Sequence, residues 1–184
     1  KTLVVACCDS RVDPAILLHC KPGDLFVIRN VAALVPAVTQ ASNPCSVMSA
    51  IEYGVKHLNV EHIVVMGHSH CGGIHGLMAP ESIAGETYIQ DWVGIASPAL
   101  ERLQAMTGDE DEKTRSRHCE EGAVLISLDN LLSYPWIAER VKNGQLKLHA
   151  LYYDLSEGNL YRFSPESEDF ELLFHSEKID VCDR

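Results

Sequence analysis

The sequence predicts an α/β fold in which a mainly parallel central β-sheet is flanked by helices. Three apolar runs in the first third of the chain are continuous rather than alternating, which is typical of strands covered on both faces. A helix with one apolar face is predicted between the second and third runs. A strand, a helix and a further strand in this order favour a crossover connection and parallel pairing. We therefore expect about four parallel strands and one antiparallel edge strand.

The N-terminal elements follow from residue type and spacing. The first three strands are predicted where β-branched and aromatic residues cluster, at residues 3–6, 25–28 and 63–66. Apolar side chains recur at helical spacing over residues 46–58, with Glu52, Lys56 and His57 on the remaining face. This stretch is the predicted crossover helix.

The C-terminal elements are predicted in the same way. A fourth strand is expected at residues 147–153, and a fifth near residues 160–163 after a turn at Glu157-Gly158-Asn159. The acidic stretch 108–121 predicts a solvated connection or an exposed helix, with no functional role. No repeat or low-complexity linker interrupts the chain, so we expect one domain over residues 1–184.

The composition excludes several classes of protein. The chain has 184 residues, 46% of them hydrophobic, which is enough for one sizeable core. A formal net charge of −11 argues against a nonspecific nucleic-acid surface. No apolar run approaches the roughly 18 residues of a membrane helix, and no signal-peptide pattern is present. Lys1 is followed directly by a predicted strand, so we expect the natural N-terminus, with any targeting segment, to precede it.

The seven cysteines are an odd number scattered along a mid-sized chain, which argues against a complete disulfide framework. Metal binding, reactive thiols and buried free cysteines remain as their possible roles.

Polar residues follow each of the first three predicted strands. The segments are Cys7-Cys8-Asp9-Ser10-Arg11, Arg29-Asn30 and His68-Ser69-His70-Cys71-Gly72-Gly73. The carboxyl ends of parallel strands meet at one edge of the sheet, where ligands usually bind. We therefore expect these three segments to converge.

The third of these segments predicts part of a zinc site. His68 and Cys71 are close enough in sequence to turn toward one ion, and the two glycines that follow allow a sharp turn. The start of a helix there would stabilise a thiolate at Cys71. Cys7 is the best-placed third ligand, and two thiolates with one imidazole suit Zn²⁺ and leave its fourth position open.

Other interpretations of the cysteines stay open at this point. Cys7 can be a structural residue while Cys8 carries the chemistry. A thiol redox role for the Cys7-Cys8 pair is disfavoured, because vicinal cysteines are not the Cys-x-x-Cys arrangement of redox proteins.

Asp9 and Arg11 have no evident folding role beside the apolar strands. Two residues apart in a loop, they are able to form a bidentate hydrogen-bonded pair that holds the carboxylate away from a nearby metal or releases it. The alternative is an ordinary surface ion pair.

Together, these motifs resemble the signature of the β-class carbonic anhydrases. The family shows Cys-x-Asp-Ser-Arg and His-x-x-Cys at a comparable separation. The similarity extends through residues 22–32, 50–53 and 153–158 and thus covers nearly the whole chain. It is greatest to the branch that contains the plant chloroplast enzymes and related bacterial ones.

The resemblance implies a reaction and a role for each residue. It implies one Zn²⁺ per chain on Cys7, His68 and Cys71, with Asp9 and Arg11 as the catalytic dyad. Zinc-bound hydroxide would attack CO₂ to give bicarbonate and a proton. If Arg11 released Asp9, the carboxylate would become the fourth zinc ligand and close the site.

The resemblance also implies the substrate pocket. The substrate-binding positions of the family match Phe26, Val31, Tyr53 and the backbone amide of Gly72. Without the family, Phe26 and Val31 are interpreted as ordinary core residues. Sequence does not choose a proton carrier among the histidines, of which the candidates include His19, His57, His70 and His75.

The family forms homodimers or higher homo-oligomers, with pocket residues shared across the interface. An N-terminal helical arm that embraces the partner would lie before Lys1. Beyond the partner subunit, the expected partners are CO₂ and bicarbonate, with no nucleic acid and no membrane. A cytoplasmic location is expected, with an organelle as the alternative.

Three positions depart from the family pattern. Some bacterial members bind inhibitory bicarbonate at a second site that uses a Trp together with an Arg and a Tyr. Arg29 and Tyr153 match two of these positions, but Val4 stands at the position of the Trp. We therefore expect the bicarbonate site to be incomplete and the open form of the zinc site to be favoured. Ala33 stands where Asn is common, and Cys8 replaces a usual Ser.

Two alternative functions remain after the resemblance. Relatives with the same zinc constellation hydrolyse CS₂ or COS. A non-catalytic, zinc-stabilised binding module is the second alternative, although Arg11 argues against it, because an Asp needed only as a ligand requires no partner to withdraw it.

Overall fold

A six-stranded mixed sheet forms the centre of the computed structural model, which describes residues 1–41, 44–106, 108 and 111–175. The strands stand in the order β2-β1-β3-β4-β5-β6. Their bounds are Thr2–Cys7 (β1), Leu25–Asn30 (β2), His62–His68 (β3), Lys147–Asp154 (β4), Asn159–Ser164 (β5) and Asp169–His175 (β6). The pairings β2-β1, β1-β3 and β3-β4 are parallel, whereas β4-β5 and β5-β6 are antiparallel. The predicted fold class and its four parallel strands are confirmed.

Strand β6 is an addition to the expected fold. It pairs with β5 and is the antiparallel edge of the sheet, so β5 is an interior strand. Only Phe170 of this strand is buried, while Leu172, Leu173 and Phe174 are about half exposed. The alternation that begins at Asp169-Phe170-Glu171 is broken by Leu172-Leu173-Phe174, so the sequence carries no clear strand signal.

Seven α-helices flank the sheet within the described residues. They are Pro14–Leu17 (α1), Ser46–Lys56 (α2), Gly72–Met78 (α3), Thr87–Val93 (α4), Ser97–Ala105 (α5), Glu112–Leu132 (α6) and Pro135–Lys142 (α7), with 3₁₀ turns at Val31–Ala33, Pro80–Ile83 and Gly94–Ala96. The predicted crossover helix is α2, which ends two residues earlier than expected. None of these helices is both long and apolar enough to cross a membrane.

The prediction for residues 108–121 was wrong in its second half. Helix α6 begins at Glu112 after an N-cap at Asp111, whose carboxylate accepts the Thr114 amide at 2.7 Å. Its first turn is exposed, but Cys119, Glu120 and Glu121 are buried. The helix runs on to Leu132 and packs against the sheet, so the acidic stretch enters the core rather than staying in solvent.

The sheet is covered on both faces, as its continuous apolar strands predict. On one face, Leu3 and Val5 of β1 lie in a core with residues of α2, α6 and α7. On the other, Val4 and Ala6 of the same strand contact a smaller cluster that includes Met66. All of these strand residues are at most 1% exposed, and burying one such side chain contributes on the order of 1.5–3 kcal/mol.

A pair of histidines lies on the second face of the sheet. His62 Nδ1 on β3 is 3.0 Å from His149 Nε2 on β4. Burial, followed by the positive charges that His62, Arg162 and Lys147 can carry, lowers the pKa of His149. The neutral form of His149 is therefore favoured in the folded protein.

This pair predicts a loss of stability in mild acid. Because folding lowers the pKa of His149, the unfolded chain takes up a proton first as the pH falls below about 6.5. The contribution of His149 to the free energy of unfolding is present in full above that pH and is lost as the pH falls below it. The measurement is the free energy of unfolding in urea near pH 7.5 and near pH 5.5. It should fall more for the wild type than for His149→Gln between these two pH values. The difference should be at most about 1 kcal/mol, because the ring is only partly buried. Equal losses would contradict the assignment.

Candidate metal centre

Three metal-ligating side chains meet at the carboxyl edge of the sheet. Cys7 ends β1, His68 ends the neighbouring strand β3, and Cys71 precedes the first residue of α3. One ligand atom from each of them lies within 4.8 Å of those of the other two, and all three residues are buried. The parallel pairing of β1 with β3 brings Cys7 beside a motif about sixty positions later in the sequence.

The imidazole of His68 is oriented as a metal ligand requires. Its Nδ1 lies 2.8 Å from the carbonyl oxygen of Ser69, which only accepts, so Nδ1 carries the proton. Its Nε2 is buried without a hydrogen-bond partner. Buried polar atoms are normally satisfied, and a metal ion would satisfy this one.

The two sulfurs differ in their affinity for a proton. The pKa of the Cys7 thiol is lowered to about 4, chiefly because the Cys71 thiol donates a hydrogen bond to the Cys7 thiolate; burial opposes this shift and His68 adds to it. The same contact raises the pKa of Cys71. One thiolate is thus already stabilised, and a divalent cation would displace the remaining proton. Two sulfurs and one imidazole nitrogen are a donor set that fits zinc.

Asp9 and Arg11 form the predicted bidentate pair beside this cluster. Arg11 Nε donates to Asp9 Oδ1 at 2.9 Å, and Nη2 donates to Oδ2 at 2.7 Å. The backbone N–H of Arg11 also donates to Oδ1 at 2.9 Å. These hydrogen bonds hold the pKa of Asp9 well below its usual range, so the carboxylate is ionised. Both of its oxygens face Arg11, and Asp9 is not part of the three-residue metal cluster.

Arg29 fastens the loop that carries Cys7 and Asp9. Its Nε donates to the carbonyl of Cys7 at 2.9 Å, and its Nη2 donates to the carbonyls of Asp9 at 2.5 Å and Val12 at 3.4 Å. The guanidinium is therefore bound to three backbone carbonyls, and its Nη1 also lies 3.5 Å from the Asp13 carboxylate. Sequence reasoning related Arg29 to a second bicarbonate site, whereas its contacts here are within the loop.

Val31 and Gly72 lie next to the metal cluster. Gly72 is the first residue of α3, directly after Cys71. Val31 begins the 3₁₀ turn after β2, and its Cγ1 would be only 2.7 Å from a Cβ added at Gly73. Helix α3 therefore packs so close to this turn that no residue larger than glycine fits at position 73 without displacing a neighbour.

The turn after Val31 is strained. Ala32 and Ala33 have φ of 62° and 56°, a left-handed conformation that costs most L-residues about 1–2 kcal/mol each. The Asn30 side chain braces the turn, since its amide donates to the Leu34 carbonyl and its oxygen accepts the Leu34 N–H. Asn tolerates the left-handed region better than Ala, which explains why Asn is common in the family at the position of Ala33.

The close approach at Gly73 predicts a sharp difference between two adjacent glycines. Gly73→Ala would force its methyl against Val31 and Ala32, and should lower the free energy of unfolding by about 1–3 kcal/mol. Gly72→Ala is the matched control, because nothing lies within 4 Å of its added Cβ and the change should stay within about 0.5 kcal/mol. Denaturant unfolding of both variants is the measurement, and equal effects would contradict the packing described here.

Phe26 and Tyr53 are not brought to the metal cluster of their own chain. Their ring centroids are 6.2 Å apart, and Tyr53 also stacks on His57 at 5.1 Å. Phe26 precedes the carboxyl end of β2 by four residues, which is about 13 Å along a strand. Tyr53 is 51% exposed. This aromatic cluster is thus a surface feature of the isolated chain.

Two of the candidate histidines border a cavity of about 700 Å³ beside Cys71. His70 and His75 are among its lining residues, which also include Glu120 and Tyr152. His70 Nε2 lies 3.1 Å from Ser156 Oγ. The structure does not choose a proton carrier among these histidines.

Glu120 is a residue of this region that sequence reasoning missed. Its carboxylate is buried and accepts hydrogen bonds from the Cys71 N–H and the Tyr152 hydroxyl. A signal was present in the sequence, because Glu120 has the helical spacing of the apolar residues Val124 and Leu131. An acidic residue on the buried face of a helix requires partners there.

Comparison with known proteins identifies similar sequences. A family model described as carbonic anhydrase matches residues 2–160. The chain is 43% identical over 155 residues to beta carbonic anhydrase 5, chloroplastic, of Arabidopsis thaliana, covering 84% of this chain and 51% of that protein. It is 39% identical over 177 residues to beta carbonic anhydrase 6, mitochondrial, of the same plant, covering 95% and 60%. The chain thus spans about half to three fifths of the length of these relatives.

Solved structures share the fold. The β-carbonic anhydrase CcaA superposes with a TM-score of 0.89 at 30% identity, over 95% of this chain and 78% of that one. A tetrameric β-carbonic anhydrase from the ascomycete Sordaria macrospora gives a TM-score of 0.74 at 31% identity, over 89% and 80%.

Proposed function

Because this chain belongs to the β-class carbonic anhydrases, we propose that it hydrates CO₂ reversibly to bicarbonate and a proton, with one Zn²⁺ held by Cys7, His68 and Cys71. The observation that carries the proposal is the buried, unpartnered Nε2 of His68, on a ring that has a nitrogen within 4.8 Å of two cysteine sulfurs. When bound, zinc would supply a Lewis acid that lowers the pKa of a coordinated water to near neutrality.

The role of Asp9 and Arg11 is to orient the reacting group. The Asp9 carboxylate is ionised and can only accept hydrogen bonds, so it would select one orientation of a donor in the pocket. The fork of Arg11 holds that carboxylate from two sides and keeps it from coordinating the metal. Release of this fork would let Asp9 become a fourth ligand, which is the closed form we propose as the inactive one.

The pocket is proposed to bind CO₂ by shape and weak polarity. CO₂ is small and apolar, so an apolar wall such as Val31 suits it, and the Gly72 N–H is placed to donate to a substrate oxygen. The backbone of Val31 is fixed by Trp92, since the Val31 carbonyl accepts the Trp92 Nε1–H at 2.8 Å.

We propose that the active form is a homodimer or a higher homo-oligomer. The relative from Sordaria macrospora is described as tetrameric. In this chain, Phe26 and Tyr53 are far from their own metal cluster but belong to an exposed aromatic surface next to the edge strand β2. A partner subunit that covered this surface would receive both residues in its pocket.

Two further predictions, on domain organisation and on cellular location, rest on the sequence. The chain is proposed to be one domain over residues 1–184. The cytoplasmic location remains a prediction, with an organelle as the alternative, because two of the relatives are named chloroplastic and mitochondrial.

The alternatives are less well supported by the site. A binding module closed by Asp9 would need that carboxylate among the metal ligands, but both of its oxygens are bound to Arg11. No contact of the pocket favours CS₂ or COS over CO₂.

Stopped-flow CO₂ hydration by the zinc-loaded protein tests the proposal. We expect turnover that rises smoothly from mildly acidic to alkaline pH, as an open site predicts. A steep switch with pH would indicate that Asp9 closes the site. A protein with about one zinc per chain and no hydration at any pH would refute CO₂ hydration, and assays with CS₂ and COS would follow.

A further inference from the structure

Glu120 is a buried residue whose carboxylate is hydrogen-bonded to the backbone of one member of the metal cluster. It lies on α6 and is only 5% exposed. Its Oε1 accepts the backbone N–H of Cys71 at 3.1 Å, and its Oε2 accepts the Tyr152 hydroxyl at 2.7 Å. Both oxygens are therefore used, and the residue joins α6, β4 and the start of α3.

The hydrogen bond to Cys71 acts at a critical point of the backbone. Cys71 caps α3, and its N–H points away from the helix, so no intrahelical carbonyl satisfies it. The preceding part of the same loop is held separately, because Ser69 N donates to the Tyr153 carbonyl and Leu155 N donates to Ser69 Oγ. Glu120 holds the N–H of the His70–Cys71 peptide, whose carbonyl accepts a longer hydrogen bond from Arg11 Nη2 at 3.4 Å.

The position of Glu120 is itself secured by Tyr152. This tyrosine is 1% exposed and its ring packs beneath the Arg117 guanidinium, 5.4 Å from the ring centroid. Its hydroxyl has no freedom to move with a displaced carboxylate. A buried acid is costly unless it is fully hydrogen-bonded, and here the cost is offset by two donors.

We propose that Glu120 is a positioning residue that sets the backbone of Cys71, and through it the Cys71 sulfur, for the metal. The inference rests on the proposed function, since it assumes that Cys71 binds zinc. Groups that orient metal ligands in this way typically change metal affinity 10–100-fold when they are removed. The inference concerns hydrogen-bond geometry rather than the charge of Glu120.

Three substitutions separate geometry from charge. Glu120→Ala removes both hydrogen bonds and should weaken zinc binding by about 10–100-fold. Glu120→Gln keeps an oxygen for the Cys71 N–H and offers an N–H to the Tyr152 oxygen, so zinc affinity should stay within about threefold of wild type. Glu120→Asp keeps the charge but withdraws it by one methylene, so it should resemble Ala rather than Gln.

Glu121→Ala is the matched control. Glu121 is the next residue on α6, is also buried, and pairs with Arg117 at 2.8 Å without touching the metal loop. Its removal should lower the free energy of unfolding and leave zinc affinity unchanged. A stability loss without a change in affinity is the pattern that distinguishes general damage to α6 from positioning of Cys71.

Zinc affinity is measured by competition with a chromophoric chelator, on proteins shown to be folded by circular dichroism. The thiolate-to-cobalt charge-transfer band of the Co²⁺-substituted proteins gives a second readout, which should shift in Glu120→Ala and Glu120→Asp only. Amide exchange of Cys71 in the metal-free protein should accelerate in the same two variants.

The outcomes are distinguishable. Wild-type affinity and spectrum in Glu120→Ala, or in Glu120→Asp if Ala does not fold, would overturn the inference alone. An equal loss of affinity in Glu121→Ala would overturn it as well, because the effect would then be general. A wild-type protein that does not bind zinc would overturn the proposed function and this inference with it.

Discussion

Replacing Cys71 with alanine is expected to reduce the zinc content from about one ion per chain to nearly none, and CO₂ hydration to the uncatalysed background. Cys71 is one of the three proposed zinc ligands in the described part of the chain, and two ligands would hold zinc too weakly to survive purification. The thiolate of Cys7 would also lose its hydrogen-bond donor. Metal analysis and stopped-flow assay of the same sample are the measurements.

Cys119→Ala is the matched control for this prediction. Cys119 is completely buried, like Cys71, but it lies on α6 outside the three-residue metal cluster. Its loss should cost stability through a small cavity while zinc content stays at the wild-type level. Unchanged zinc content in Cys71→Ala would contradict the ligand assignment and would return the vicinal Cys7-Cys8 pair to consideration.

Replacing Arg11 with alanine is expected to lower CO₂ hydration by about 10²-fold while the zinc content stays the same. The reason is that the Asp9 carboxylate would lose both hydrogen bonds from the Arg11 guanidinium. It would then no longer orient the reacting group and would be able to reach the metal. Arg11→Lys is the informative companion variant. It keeps the positive charge but not the two-pronged geometry, so its rate should fall between those of wild type and Arg11→Ala.

Stability separates this prediction from an ordinary ion pair. The Arg11 side chain is 54% exposed, so its pairing with Asp9 should contribute less than about 1 kcal/mol to folding. Urea unfolding should therefore show little change in both variants. A wild-type hydration rate in Arg11→Ala would mean that the pair is only a surface contact, as the alternative interpretation of the sequence holds.

The four parallel strands and the cluster of three metal-ligating side chains were predictable for the same physical reason. Strands buried on both faces need continuous apolar residues, and polar residues directly after such strands must lie at the edge of the sheet. Cys7, His68 and Cys71 follow this rule. Their local motifs, together with the Asp9-Arg11 spacing, carry most of the chemistry within two short segments.

The features that sequence reasoning did not predict depend on contacts between distant elements. Glu120 looked like part of an acidic, solvated run, and only the packing of α6 against β4 gives it partners. Strand β6 is held mainly by its backbone pairing with β5 and buries one side chain, so it lacks the apolar run of the core strands. The separation of Phe26 and Tyr53 from the metal cluster of their own chain follows from the position of Phe26 early in β2 and of Tyr53 on α2, which family motifs do not encode.

By itself, the sequence determined the fold class, the edge of the sheet at which chemistry is possible and the three candidate metal ligands, because each depends on local pattern and strand order. The tertiary structure decided which groups support those ligands: the Arg29 contacts to the loop after β1, the strained turn at Ala32 and Ala33, and the buried carboxylate behind Cys71. Such contacts join positions that are far apart in the chain, and their hydrogen bonds and close approaches exist only once the helices have packed onto the sheet.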